Sequence, residues 1–441
     1  MRQENVLSAR KTRRRSLARA AAVCVALALV VAGCVQAGLR VNTDDRHPAH
    51  FTSPLSPLGG DPAITDARDW RTRRAPLIRA AFQARIYGWL PDATGAIAGE
   101  RRTIRTTNYP HARSVEEVTV RLPSANAEDI LFRAVVFLPQ GQDAASPVVI
   151  VPNFCGNDAA LGFSDRTLNH GVWLPERCRT LVNRGITRFI HGQNIIRPPF
   201  ERLLRAGYAV VTYYPGEVVP DEPIRAAQAI ARLPGQTRAP NVGAVGAWAW
   251  SISRAVDIVD ADARLDRGHV AVFGHSRFGK SALLAAALDE RITAVIANQS
   301  GRLGAAPSSR TIGEPLSALT RRFPHWFPAV AQGAVADAAM LDQQSLIALI
   351  APRAVLLGGA TLDRWSDPVG AYEGAEAASD VYRLLGRQGL TQASIETPDY
   401  AADITFFMRP GRHGIRDVDW TATIAFLDAH RRTPRYAAAP P

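Results

Sequence analysis

The stretch His269-Val270-Ala271-Val272-Phe273-Gly274-His275-Ser276-Arg277-Phe278-Gly279-Lys280 decides how this chain folds. An apolar run leads straight into a glycine-flanked serine, and the Ala/Leu-rich stretch Ser281 to Leu288 follows at once. That order is a strand, a tight turn and a helix. A serine on such a turn stands above the edge of a sheet, and the backbone N–H of the next residue, here Arg277, points where an oxyanion would form. Lys280 stands out for a second reason: only two of the 52 Lys+Arg residues are lysines, and the other is Lys11 near the N-terminus. An ammonium is a compact charge with three donors that suits hydroxyl groups, whereas guanidinium favours a flat partner such as carboxylate. A cation in the first turn of a helix opposes the helix dipole, so a purely structural role is the weaker reading.

Outward from this turn, strand-like runs fall at Glu117 to Leu122, Ile130 to Leu138, Val148 to Val151, Ala209 to Tyr214, Ala294 to Ala297, Ala354 to Leu357 and Ile404 to Met408. Helical patterns fall at Trp70 to Tyr87, Glu222 to Leu233, Gly243 to Val259, Ala371 to Leu385 and Val418 to His430. Alternation of this kind predicts an α/β fold with a mostly parallel sheet and helices on both faces, its ligand at the carboxyl ends of the strands. The segments Gly162 to Arg197 and Ser308 to Gly333 read as loops or lids over that edge.

With 441 residues, 47% of them hydrophobic, the chain can bury a large core. The formal charge is +12, but seven cations lie in the first 33 residues against the single acid Glu4, which leaves about +6 for the remainder. Those arginines are scattered among acids without a long basic run, which argues against a nucleic-acid partner and leaves an acidic sugar compatible. No residue spacing suggests a metal site, and no cofactor is expected.

Residues 1–33 read as a secretory signal: the basic run Arg10 to Arg15, then an apolar stretch from Ala18 to Ala32. Val31-Ala32-Gly33-Cys34 resembles a lipoprotein processing site, which would make Cys34 the lipidated first residue of an exported, periplasmic or cell-surface protein. The anchor would be its membrane contact. Residues 34–64 read as a tether, 65–435 as one catalytic domain that acts as a monomer, and 436–441 as a disordered tail. Cys155 and Cys178 are the cysteines left for the folded body; in an exported protein they can pair, although spacing alone does not decide it.

A serine nucleophile needs a base, and the base needs an acid to orient it. In α/β-hydrolases the chain order is serine, acid, histidine. His413, in Pro410-Gly411-Arg412-His413-Gly414 after the last strand-like run, is the candidate base. Asp363, in the loop after Ala354 to Leu357, is the candidate acid, while Asp367, before a proline and a helix, reads as a helix cap. The bulky side chain of Arg277 suggests that its guanidinium joins the backbone in holding an oxyanion.

The pattern Gly274-x-Ser276-Arg277-x-Gly279-Lys280 resembles the distinctive elbow of the glucuronoyl esterases, carbohydrate esterase family 15. Further matching blocks are Asn153 to Asn157, Gly246 to Trp250, Ser300-Gly301 with Gly313-Glu314, Phe323 to Phe327, Ile350 to Arg353 and Asp363 to Pro368. The resemblance runs from about Leu58 to Leu427 and implies a serine-type hydrolase cleaving 4-O-methyl-glucuronate esters between glucuronoxylan and lignin alcohols. It makes Ser276 the nucleophile, His413 the base and Arg277 an oxyanion donor, and places Lys280, Glu314 and Trp365 around the glucuronate ring. One departure stands out. Many relatives carry the acid after the strand that follows the elbow helix, where this chain has Gln299, so the triad depends on Asp363. The segment Arg302 to Ser309 also departs from the usual glycine-rich version. The rival readings are an acetyl or feruloyl xylan esterase of the same fold and a non-catalytic glucuronoxylan-binding lipoprotein.

Overall fold

The computed structural model describes residues 40–46, 51–58, 60–92, 97–104, 107–125, 128–141, 144–163, 168, 171–328 and 342–431. The signal at 1–33, Cys34 and the tail at 436–441 lie outside the described residues. Among the described residues no helix is long and apolar enough to cross a membrane.

Nine strands form one sheet: β1 (Ile97–Thr103), β2 (Ala112–Leu122), β3 (Ile130–Pro139), β4 (Ser146–Pro152), β5 (Ala209–Tyr213), β6 (Leu265–His275), β7 (Ala294–Asn298), β8 (Ala354–Ala360) and β9 (Ile404–Arg409), in the spatial order β1-β2-β3-β5-β4-β6-β7-β8-β9. The pairings β1·β2, β2·β3 and β3·β5 are antiparallel; from β5 to β9 every pairing is parallel. This is the α/β-hydrolase arrangement. The parallel strands explain their own composition: β4, β5 and β7 are buried at every position, so they read as continuous Val/Ile/Ala runs rather than alternating ones.

Helices cover the sheet: α1 (Ala75–Phe82), α2 (Leu181–His191), α3 (Ala244–Asp260), α4 (Arg277–Leu288), α5 (Pro368–Leu384) and α6 (Asp417–Arg431). α3 packs beside α4, and almost every residue of both is buried. That accounts for the Ala/Gly-rich sequence of the pair, since small side chains let two helices and a sheet approach closely. α5 begins as its sequence indicates: Asp367 caps it, accepting from Gly370 N at 3.1 Å, with Pro368 in the first turn.

Two expectations are revised. The described part of the segment read as a tether is docked on the body: buried Arg74 holds Asp61 at 2.8 Å and also binds Pro54 O and Pro62 O, each at 2.8 Å, while Ile64 is buried. Further contacts come from Arg73 to Asp61 and from Gln344 Nε2 to Thr52 O at 3.1 Å, a long-range arrangement that local composition does not reveal. The insertion read as a loop from Gly162 contains α2, an amphipathic helix beside the carboxyl edge of the sheet. Cys155 and Cys178 are joined in a disulfide with a Cα–Cα distance of 5.1 Å, fastening this insertion to the loop after β4.

Candidate active site

Ser276 sits between β6 and α4 with φ 54° and ψ −124°, a conformation that is costly for a side chain other than glycine. The turn is held by its neighbours: Ser276 N donates to Asn298 O at 2.9 Å, and Ser276 O accepts from Gly279 N at 2.9 Å and Lys280 N at 3.1 Å. The elbow requires Gly274, because a Cβ there would lie 2.2 Å from Phe278 O. As the first residue of α4, Arg277 has a backbone N–H with no intrahelical acceptor.

The expected site residues converge. Ser276, Arg277, Lys280, Glu314, Asp363, Trp365 and His413 all line one cavity of about 530 Å³ at the carboxyl edge of the sheet. His413 Nδ1 stands 2.7 Å from Asp363 Oδ2, which also accepts from Ser366 Oγ at 2.6 Å. Burial pushes the Asp363 carboxyl up, but the charge of His413 and the hydrogen bonds of His413 and Ser366 outweigh it, leaving it below the usual carboxylate range. An ionised carboxylate only accepts, so Nδ1 carries the proton between them and Nε2 is the nitrogen left for proton transfer. Among the described residues Ser276 and His413 form no hydrogen bond; contacts of this kind commonly tighten only when substrate is bound. His275 and His191 flank His413 at ring-centroid distances of 4.7 and 6.4 Å. Burial, and then the neighbouring His413, holds both below the ordinary histidine value, so neither adds a positive charge beside it at neutral pH.

Gln299 directly follows β7. Its Oε1 accepts from Gly414 N at 2.8 Å, so it supports the histidine loop through the backbone and leaves the imidazole to Asp363. Replacing it with leucine would strand a buried amide. Gln299→Leu is expected to cost about 1–3 kcal/mol of stability, read from denaturant unfolding, and to lower turnover far less than loss of Asp363. A turnover as low as that of an Asp363 variant would contradict this division of labour.

Arg277 is buried against the rings of Phe154 and Phe278, its guanidinium carbon 4.8 and 5.1 Å from their centroids. Its Nε lies 3.2 Å from Asp221 Oδ2 without the alignment of a hydrogen bond. Burial lowers the arginine to about 10, against the pull of Asp221, so it stays charged at neutral pH. Asp221 also binds His325 Nε2 at 3.0 Å and Trp326 Nε1 at 2.8 Å, with Arg177 at 3.5 Å. Sequence reading missed Asp221, Ser366, Arg177 and His191. The one available signal was the place of Asp221, in Pro220-Asp221-Glu222-Pro223 beyond the end of β5.

The Asp221 cluster carries a pH prediction. Burial raises the Asp221 carboxyl, but Arg277, His325, Trp326 and Arg177 together hold it well below its usual range. Its contribution to stability is therefore complete at neutral pH and is lost as pH falls below the unfolded value of about 4 toward the lower folded value. Asp221→Asn should be less stable than the unmodified protein at pH 7, with a gap that narrows below about pH 4. Tm measured against pH checks this, and a gap independent of pH would contradict it.

Lys280 Nζ donates to Ser300 O at 2.8 Å and to Arg302 O, and lies 3.5 Å from Glu314 Oε2. Two carbonyls and one carboxylate thus surround the ammonium. Burial pushes its pKa down and Glu314 opposes the shift. Glu314 N donates to Trp365 O at 2.8 Å, tying the two loops, and the Trp365 indole is 47% exposed on the cavity wall. Among the described residues no cluster of His, Cys, Asp and Glu is built to hold a metal.

A serine on a strained strand–turn–helix, facing a histidine and a buried carboxylate at the carboxyl edge of a mostly parallel sheet, defines the class: a serine hydrolase of α/β-hydrolase fold. The family follows from likeness to known proteins. Residues 195–386 match the family model described as glucuronyl esterase, fungi. A carbohydrate esterase from an unknown prokaryotic organism is 33% identical over 407 residues, covering 88% of this chain and 92% of that one. Two solved structures are similar as well. A promiscuous family 15 esterase from a marine bacterial metagenome matches with TM-score 0.74 and 31% identity, over 86% of this chain and 96% of that one. The glucuronoyl esterase from Solibacter usitatus gives TM-score 0.73 and 30% identity, over 86% and 98%. The chain belongs to the glucuronoyl esterases of carbohydrate esterase family 15 and is a serine-type carboxylic ester hydrolase.

Proposed function

We propose that this enzyme hydrolyses esters between 4-O-methyl-glucuronate on glucuronoxylan and lignin-type alcohols. The observation that carries the reading is the cavity itself, which joins Ser276, His413 and Asp363 to the paired ammonium and carboxylate of Lys280 and Glu314. An acetyl group offers that ion pair nothing to hold and a feruloyl group only one phenolic hydroxyl, whereas a uronate ring offers several hydroxyls.

Ser276 Oγ attacks the uronoyl carbonyl carbon while its proton passes to His413 Nε2. The negative charge that develops on the carbonyl oxygen meets the Arg277 N–H and guanidinium. As the tetrahedral adduct collapses, the bond to the alcohol oxygen breaks, and His413 returns the proton to that oxygen. A water then loses a proton to His413, attacks the glucuronoyl-enzyme and releases the acid as Ser276 is reprotonated. Asp363 keeps the His413 ring oriented and stabilises its cationic form. Lys280 and Glu314 exchange part of their mutual contact for sugar hydroxyls, and the Trp365 face covers the ring.

Residues 65–435 would form the catalytic domain of a monomer, exported by the signal at 1–33 and anchored through a lipid on Cys34. Lys280→Ala tests the sugar-binding role. The change frees two carbonyls and a buried carboxylate, so it also costs stability, and the informative quantity is the ratio of two activities. Measured as kcat/KM, benzyl glucuronate hydrolysis should fall at least about ten-fold further than hydrolysis of a simple acetyl ester. Equal losses on both esters would remove Lys280 from substrate recognition, and turnover of acetylated xylan with none of glucuronate esters would favour the rival esterase.

A further inference from the structure

α2 is amphipathic, yet it is docked the wrong way round for a core helix. Its polar side faces the protein: Asn183 Nδ2 donates to Glu176 O at 2.9 Å, Arg184 Nε to Cys178 O at 2.8 Å, and buried Thr187 Oγ1 to Arg177 O at 3.3 Å. Its apolar side faces outward. Of the ten large hydrophobic side chains exposed among the described residues, five (Leu181, Val182, Ile186, Phe189 and Ile190) lie on this one helix, so they form a patch rather than scattered exceptions. Phe189 is 88% exposed and Val182 71%. Helices that bury their apolar stripe need no partner, whereas one that displays it does.

The position of α2 selects the partner. Its C-terminal turn enters the cavity, where Thr187, Ile190 and His191 form part of the wall. His191 stands edge-on to His413, and its carbonyl accepts from Ile415 N at 2.8 Å, in the loop that carries His413. The contact is tight enough to exclude a side chain at Gly414, where a Cβ would lie 1.9 Å from His191 O. In the reaction proposed above His413 protonates the departing alcohol, which puts the alcohol on the side of His191 and of Ile190, the residue through which the apolar stripe reaches the cavity wall.

We propose that the exposed apolar face of α2 is a docking surface for an apolar, aryl-rich polymer attached to the alcohol side of the ester. This rests on the reading that the site cleaves uronate esters with such alcohols. Val182, Ile186 and Phe189 lie on the stripe and do not line the cavity, so they can be changed without touching the machinery.

The test is the combined variant Val182→Ser, Ile186→Ser and Phe189→Ser, assayed beside the unmodified protein on methyl glucuronate, on a lignin-bound glucuronoxylan fraction, and for adsorption to isolated lignin particles. Methyl ester hydrolysis should stay within about two-fold, which also reports that the variant is folded, while release from the polymer and adsorption should each fall at least about five-fold. Parallel changes on small and polymeric esters, or undiminished adsorption, would overturn the proposal. A dimer in sedimentation that the variant dissolves would overturn it too, by assigning the face to a second copy; so would adsorption to lipid vesicles in place of lignin. Failure of the underlying reading looks different: the unmodified protein would not hydrolyse methyl glucuronate, and the adsorption comparison would still decide what the surface binds.

Discussion

Asp363→Asn is expected to lower kcat by about four orders of magnitude while leaving the protein folded. Asparagine matches aspartate in volume, and the Ser366 hydroxyl, which donates to Oδ2, can turn to accept from an NH2 in the same place, so the buried loop has no reason to collapse. What changes is the hydrogen bond to His413. Asp363 accepts the Nδ1 proton at 2.7 Å and lies almost wholly out of solvent, where an ionised partner counts for most. An amide can turn its NH2 group to Nδ1, which places the ring proton on Nε2 and removes the lone pair that should take the serine proton. It also withdraws the negative charge that stabilises the imidazolium. Single-turnover kinetics with thermal denaturation separate the outcomes: a folded protein with a rate within ten-fold of normal would show that another group orients His413.

Arg277→Met is expected to lower kcat by about 10²–10³-fold with little change in KM, because the charge it meets exists only in the tetrahedral state. The guanidinium is buried, flanked by Phe154 and Phe278 and pulled by Asp221, so it is set in place before substrate arrives. Methionine fills a similar space and keeps the backbone N–H, so the measured loss belongs to the side chain. Asp221 retains His325 and Trp326 in the variant, which limits the structural cost of leaving it without the arginine. A kcat close to normal would mean that the backbone N–H suffices and that Arg277 serves packing.

The centre of this site was legible because its signals are local. A glycine before the serine, an apolar strand in front and a small-residue helix behind are consequences of one turn, and they lie within twenty residues. Asp363 and His413 could be placed from order alone, since parallel strands deliver their following loops to one edge whatever the intervening length. Asp221 was missed for the opposite reason: it contributes to no periodicity, and its partners Arg277 and His325 come from distant parts of the chain, the start of α4 and a loop. The sequence singled out Lys280 as unusual, but not that its ammonium is held by Ser300 O, Arg302 O and the Glu314 carboxylate. The segment that holds α2 read as a loop or lid, and nothing local says which face of the helix would turn inward. The segment from Pro54 to Ile64 looked like a tether because its anchoring comes from side chains elsewhere in the chain, Arg73 and Arg74, and from the burial of one residue, Ile64.

The measurement that tests the account most directly is hydrolysis of benzyl glucuronate, with and without the 4-O-methyl group, by the chain from Val35 onward and by its Ser276→Ala and Asp363→Asn variants. The account predicts turnover of the methylated ester by the unmodified chain, abolished by the serine change and reduced by about 10⁴-fold by the aspartate change. No turnover of either ester by the unmodified chain, or turnover that survives loss of Ser276, would contradict it.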